Sequence, residues 1–283
     1  MFTLSIKGKT IQFDTPVVMG IINATPDSFV TGHLHKSPSA MVEMAGKMLE
    51  NGAKILDIGG QSTRPGSQRI TAQEEADRVL PIIQQIHHYF PDALLSIDTY
   101  YSLVARKAIE AGAAIVNDIS AGNLDEAMIQ TVSSLQVPYI CMHMNTTPET
   151  MQEDISYQDV VSDVFRFLEQ KIAQCTQAGV QSILIDPGFG FGKTIDQNFS
   201  LLASLDAFNT LQCPMLVGLS RKSMIYKTLK NDASAALNGT SCLNTIALLK
   251  GASILRVHDV KEAFEAVTLV NEYKNAAQDK RHF

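Results

Sequence analysis

The sequence predicts a single α/β domain over residues 1–283, a (β/α)8 TIM barrel with an N-terminal β-hairpin closing its bottom. Three observations carry this. Eight short apolar runs alternate with longer segments of helical period. The runs show little polar alternation, as expected of parallel strands covered on both faces. A polar residue stands at or near the C-terminal end of every run: Asn23, Asp57, Asp98, Asn117, His143, Asp186, Ser220 and His258. In an open doubly wound sheet only residues near the switch point would meet, whereas in a closed barrel all eight strand ends ring one mouth.

The elements follow in order. Thr3 to Phe13 reads as two short strands around Lys7-Gly8-Lys9, a hairpin. The barrel strands are Val17 to Asn23, Lys54 to Gly60, Ala93 to Thr99, Ala113 to Ser120, Pro138 to Met144, Ser182 to Gly188, Pro214 to Ser220 and Ser253 to Asp259. Between them, Ala40 to Glu50, Glu74 to His88, Leu103 to Glu110, Leu124 to Leu135, Val160 to Ala178 and Asn244 to Lys250 repeat apolar residues at three and four positions. Gly52, Gly112, Gly179 and Gly251 stand just before strands, where a helix C-cap needs φ > 0.

A formal charge of -6, with no Lys/Arg run longer than two, argues against nucleic acid and anionic membrane partners. No apolar run approaches the ~20 residues that span a bilayer, and a cytoplasmic location is expected. Cys141, Cys175, Cys213 and Cys242 form no C-x-x-C pair and are expected to be reduced thiols, mostly buried.

The stretch Asp186-Pro187-Gly188-Phe189-Gly190-Phe191-Gly192-Lys193-Thr194 misses both the Walker A and the dinucleotide patterns by one residue. Its glycines still let backbone approach a flat ligand, with Phe191 as a packing face; a tight βα turn is the plainer alternative. Asp98, Asn117 and Asp186, with Lys222, would offer a heterocycle both acceptors and a donor, a set suited to a guanidine-like edge. Each acid taken singly is also a reasonable helix N-cap. Arg256-Val257-His258 places two basic side chains on one face at the last strand, where such barrels commonly hold phosphate; an arginine paired with a core carboxylate is the plainer alternative. Asn23 could give an amide oxygen to a Mg²⁺ that also holds a diphosphate, and Thr63 and Arg64 could meet an anionic second substrate. His33 and His35 fall in a loop and make a poor zinc pair, while His143 reads equally as a lining or a structural residue.

Eight segments, in order and at those strand ends, resemble dihydropteroate synthase. They are Met19 to Phe29, Asp57 to Gly66, Ser96 to Thr99, Val116 to Ser120, Met142 to Met144, Asp186 to Lys193, Ser220 to Ser223 and Arg256 to Asp259. The resemblance implies condensation of 6-hydroxymethyl-7,8-dihydropterin diphosphate with p-aminobenzoate, giving 7,8-dihydropteroate and diphosphate through a pterin methylene cation. It implies Mg²⁺, a homodimer, and sulfonamides as competitors of p-aminobenzoate. By position, Asp98, Asn117, Asp186, Lys222 and Phe191 would hold the pterin. Asn23, Thr63, Arg256 and His258 would hold the diphosphate, Asn23 reaching its Mg²⁺. Phe29, Thr63, Arg64, Pro65, Phe191 and Ser223 would form the p-aminobenzoate site. Asn23, Arg64, Lys222, Arg256 and His258 are the expected catalytic residues.

The chain departs from the family pattern at two loop acids. Val30-Thr31-Gly32-His33 stands where Ser-Asp-Gly-Gly is usual, and Gln61 replaces a glutamate. A non-catalytic pterin-binding homologue with a degraded loop is the alternative from another class, and a corrinoid-dependent methyltransferase has no use for the Ser-Thr-Arg-Pro-Gly loop. With Asp27 or a reorganised first loop compensating, Thr31→Asp is expected to leave turnover near the wild-type value; a greatly increased turnover would show that the wild-type loop is impaired.

Overall fold

The computed structural model describes residues 1–24, 37–62, 67–145, 147 and 155–279. The hairpin is β1 (Phe2–Ile6) and β2 (Lys9–Phe13), antiparallel and turning at Lys7 and Gly8, both at positive φ. The barrel strands are β3 (Val17–Asn23), β4 (Ala53–Gly59), β5 (Leu94–Asp98), β6 (Ile115–Asp118), β7 (Tyr139–Met142), β8 (Ile183–Asp186), β9 (Leu216–Val217) and β10 (Ile254–Val257). Their order is β8-β7-β6-β5-β4-β3-β10-β9, every pairing parallel. A bridge between Ile185 and Met215, with Ile185 N–H donating to Pro214 O at 3.0 Å, joins β8 to the chain entering β9 and closes the ring.

The helices are α1 (Pro38–Glu50), α2 (Ala72–Tyr89), α3 (Ser102–Glu110), α4 (Met128–Leu135), α5 (Val160–Gln177), α6 (Ile195–Ala203), α7 (Ser223–Thr228), α8 (Leu237–Leu249) and α9 (Val260–Asp279). Local chemistry starts several of them: Ser37 caps α1 with Pro38 in its first turn, Thr71 caps α2, Asp159 caps α5, and Thr194 with Gln197 forms a capping box on α6. Gly52, Gly112, Gly179 and Gly251 all have positive φ, as the spacing predicts. Every barrel strand but the first is shorter than or shifted from the sequence reading, α8 begins at Leu237 rather than Asn244, and two further differences stand out. The helix expected from Leu124 begins at Met128, because Asp125 spends its carboxylate on Ser102 N–H and Ala127 N–H. The seventh barrel strand is two residues rather than seven, the chain leaving the sheet at Gly218.

Residues two apart on one strand share a face, and this sets the interior. Val17, Met19, Ile55, Ile115, Ile140, Leu184, Leu216 and Ile254 fill the lower barrel, and Leu4 of the hairpin seals it from below with Phe2 and Phe13 against it. The opposite strand face, with Val18, Leu56, Leu95, Val116, Cys141, Ile185, Val217 and Leu255, packs against the helices. Of the cysteines, Cys141 and Cys175 are buried, Cys213 is half-buried, Cys242 is exposed, and all four are free. Among the described residues, no helix is long and apolar enough to cross a membrane.

Buried Glu75, in the first turn of α2, accepts from Thr99 Oγ1 at 3.1 Å and lies against Gly60, where an added Cβ would come within 3.0 Å of its Cγ. Burial first, and then the charge of Asp98, pushes this carboxyl up to about 8, against the pull of Thr99 and Arg78. The folded state keeps the proton between the ordinary carboxyl value and about 8 while the unfolded chain releases it, so stability falls with rising pH in that window. Glu75→Gln is therefore expected to raise Tm by a few degrees near pH ~8 and to have little effect below pH ~4, read from melting curves across pH. Leu4→Ala removes the seal of the lower barrel and is expected to cost ~2–5 kcal/mol in denaturant unfolding.

Candidate active site

The mouth follows from the same two-residue period. Above Ile55 stands Asp57, above Ile115 Asn117, above Ile140 Met142, above Leu184 Asp186, and above Ile254 Arg256. On β4, β6, β8 and β10 the inner face thus goes from apolar to polar in one step, while β7 stays apolar with Met142. Arg256 Nε donates to Asp57 Oδ2 at 2.6 Å and its Nη2 donates to Asp98 Oδ2 at 2.6 Å, bridging β4 and β5 from β10. Asn117 Nδ2 donates to the same Asp57 oxygen at 3.0 Å. Asp186 Oδ1 accepts Gly188 N–H at 2.8 Å, and Lys222 Nζ donates to Phe189 O and lies 4.8 Å from the Phe191 ring centroid. At Gly218 an added Cβ would stand 3.9 Å from Arg256 Cβ and 4.0 Å from Lys222 Nζ, so the missing side chain keeps the space between the two cations open.

These charges share a poorly solvated space, and their protonation equilibria move accordingly. Burial pushes Asp98 up to about 7; Arg256 opposes this, while Asp57, Asp118 and Asp186 add to it. Asp186 is also raised by burial, with Lys222 pulling the other way. Lys222 is lowered to about 8 by burial, Asp186 opposing and Arg256 adding. Burial works against the Arg256 charge, but Asp57 and Asp98 more than offset it and hold the guanidinium protonated. The mouth can therefore present donors and acceptors whose proton occupancy changes near neutral pH.

Beside the charged set lies an apolar wall of Tyr100, Ile119, Met142 and Met144, with Phe191 packed against it. A flat ligand with a polar edge meets in this arrangement both a surface to lie on and groups to read its edge. At the end of β10, Ser220 Oγ lies 3.0 Å from His258 Nδ1 and accepts the His258 backbone N–H at 3.2 Å. With the hydroxyl donating to Nδ1, Nε2 carries the ring hydrogen and is a donor for an anion. The Asn23 side chain, half-buried at the end of β3, makes no hydrogen bond to a described residue. Ser223 opens α7, which has only six residues, so it offers a hydroxyl and first-turn N–H groups rather than a full helix dipole.

The structure brings Asp98, Asn117 and Arg256 together with Asp57, and sets Asp186 beside Lys222 and Phe191. The helix-capping alternative for Asp98 and Asp186 does not hold: the helices after them begin at Tyr101 without a side-chain cap and at Thr194. His143 resolves to a structural residue, 5% exposed, with Nδ1 at 3.0 Å from Lys193 Nζ and its ring edge-on to Phe167. Phe29, Thr63, Arg64 and Pro65, with Asp27, Thr31, His33 and His35, lie outside the described residues. Sequence reasoning did not assign Asp57 a contact, although the alternation Ile55, Asp57 on one strand face was visible. Nor did it assign Arg221, at φ 54°, whose guanidinium holds Asp259 through two bonds of 2.8 Å and also donates to Ala233 O and Ser234 O. Only the fold shows that this Arg ties the segment carrying Lys222 to the end of β10.

Residues 19–258 match the model of a family described as pterin binding enzyme. The dihydropteroate synthase of Escherichia coli strain K12 is 41% identical over 281 residues, 99% of each chain. A Yersinia pestis dihydropteroate synthase solved with a sulfonamide drug has a TM-score of 0.92 at 38% identity, covering 97% of this chain and 100% of its own. A dihydropteroate synthase from Coxiella burnetii, in complex with pteroic acid, has a TM-score of 0.89 at 38% identity over 98% of this chain and 100% of its own. By sequence over nearly its whole length, and by the barrel that carries it, the chain belongs to the dihydropteroate synthase family of pterin-binding enzymes.

Proposed function

We propose that the barrel mouth binds 6-hydroxymethyl-7,8-dihydropterin diphosphate against the Phe191 wall and transfers its pterin methylene group to the amine of p-aminobenzoate. The observation that carries this reading is the convergence of Asp98, Asn117, Asp186 and Lys222 beside an apolar wall, with Arg256 among them. An aminopyrimidinone edge presents N–H donors and ring acceptors, and the carboxylates, amide and ammonium match it group for group. Asn23, Thr63, Arg256 and His258 take the diphosphate; Phe29, Thr63, Arg64, Pro65, Phe191 and Ser223 take p-aminobenzoate, where sulfonamides compete.

The residues suit a dissociative transfer. The C–O bond to diphosphate breaks first and its electron pair leaves with the diphosphate, whose charge Arg256 and the His258 N–H stabilise. The cation left on the pterin methylene is resonance-stabilised, and the buried carboxylates Asp57, Asp98 and Asp186 supply negative potential around it. The aniline nitrogen of p-aminobenzoate then forms the new C–N bond and loses a proton. An aryl amine attacking a cation needs no strong general base.

The chemistry of Asn23 fits Mg²⁺: it offers a hard amide oxygen, unengaged by described residues, at the end of β3, the strand next to β10. Held by Asn23, Mg²⁺ would supply charge stabilisation to the diphosphate. A homodimer and a cytoplasmic location complete the reading.

The test is diphosphate release from the purified protein given the pterin diphosphate and Mg²⁺, with and without p-aminobenzoate. Release that depends on p-aminobenzoate and yields dihydropteroate is expected. Pterin binding with no release would instead identify a non-catalytic homologue. Arg256→Gln is expected to lower the p-aminobenzoate-dependent rate by ~10²-fold or more, since it removes a charged donor from the departing oxygens.

A further inference from the structure

A buried lysine of the glycine-rich turn lies outside the set that faces substrate. Lys193 ends the glycine-rich turn after β8 and is 4% exposed. Its Nζ donates to Gly188 O at 2.8 Å, to Phe191 O at 3.1 Å and to His143 Nδ1 at 3.0 Å. An ammonium has three N–H groups, and all three are taken by the protein's own atoms. Lys193 therefore has no hydrogen left for a ligand, and any part it plays is exerted through the turn.

That turn needs holding. Gly188, Gly190 and Gly192 stand at φ 70°, 80° and 59°, and glycines left untethered there would sample many shapes. The inner side is tied to the end of β7: His143 N–H donates to Asp186 O at 2.9 Å, and an added Cβ on Gly188 would stand 1.9 Å from His143 O. The outer side is held from α6 by Asn198, which accepts Gly190 N–H at 2.7 Å and donates to Lys193 O and Thr194 O at 3.1 and 2.7 Å. What the turn delivers to the mouth is the Phe189 carbonyl that receives Lys222 Nζ, and the Phe191 ring beneath that ammonium.

We propose that Lys193, braced by His143, is a positioning residue for pterin recognition, holding the glycine turn in the one shape that sets Lys222 and Phe191 against the heterocycle. The proposal rests on the pterin reading given above. Burial lowers Lys193 to about 7, with Asp186 opposing and Lys222 adding, so the three-bond arrangement belongs to the protonated form, and burial with the Lys193 charge lowers His143 to about 3, keeping its ring neutral. A neutral His143 is what lets Nδ1 accept. A neutral amine at Lys193 would serve only two of the three acceptors.

The experiment uses the full-length wild type, Lys193→Met and Lys193→Gln, with 6-hydroxymethylpterin as the calorimetric probe and Tm measured alongside. Wild type is expected to bind one probe per chain. Lys193→Met is expected to bind at the same stoichiometry with Kd weakened ~10-fold or more, as for a contact displaced by a fraction of an ångström. Lys193→Gln, with two donors retained, should fall between them. A Lys193→Met protein with lower Tm or fewer competent sites but the wild-type Kd would overturn the proposal, since that is what a purely stabilising role produces. Should Lys193→Met not fold, Asn198→Ala loosens the same turn from outside: a several-fold weaker Kd supports the positioning role, and an unchanged one overturns it. Absence of pterin binding by the wild type would overturn the functional reading itself, an outcome distinct from failure of the variant comparison.

Discussion

The guanidinium of Arg256, bridging Asp57 and Asp98 at 2.6 Å each, is the constraint on which the upper barrel depends. Asp57 is fully buried, and an isolated carboxylate in such a place would cost far more than the fold can supply. A planar fork that reaches two carboxylates at once serves better here than a lysine's single point of charge. Asn117 completes the arrangement by donating to Asp57, so β4, β5, β6 and β10 are joined across the mouth by side chains as well as by the sheet. Lys222 does the corresponding service for Asp186 on the opposite arc.

This polar layer is possible because the layer beneath it is dry. Leu4 and the apolar residues of the lower barrel exclude water from below, leaving the mouth as the approach for a ligand. Charges confined between a sealed floor and a substrate are strongly felt, and a reaction that separates charge uses that directly. The family activity asks the protein to receive a departing anion and to tolerate a cation where it left. Fixed cations and buried carboxylates, held before substrate arrives, do both without a specialised acid or base. Behind these groups, Arg221 binds Asp259 at one end and Lys193 binds the glycine turn at the other.

Much of this was written in one dimension. The alternation of apolar runs and helical periods fixed eight βα units, because strand and helix have different hydrophobic periods. The closed barrel followed from polar residues at eight strand ends, and the positive-φ glycines from their places after helices. Asp98, Asn117, Asp186 and Lys222 were legible as a set, and Arg256 with His258 as a separate basic pair, since each combines a chemically demanding side chain with a position at or just after a strand end. Asp57 was visible as a strand-end acid, but its partners were not: they lie 60 and 199 residues away along the chain. Glu75 lies in the segment from Glu74 to His88 read as a helix, and nothing local marked it as buried.

The sequence by itself determined the order of elements, the barrel, the family and the chemical types gathered at its mouth, because those depend on period, composition and motif. Tertiary structure alone decided which carboxylate Arg256 binds, that His143 serves Lys193 rather than a ligand, and that Lys193 turns inward to hold a loop. Pairings of this kind arise when barrel closure brings distant strand ends within hydrogen-bonding distance, and the energies that select them come from burial, which no local stretch of sequence encodes.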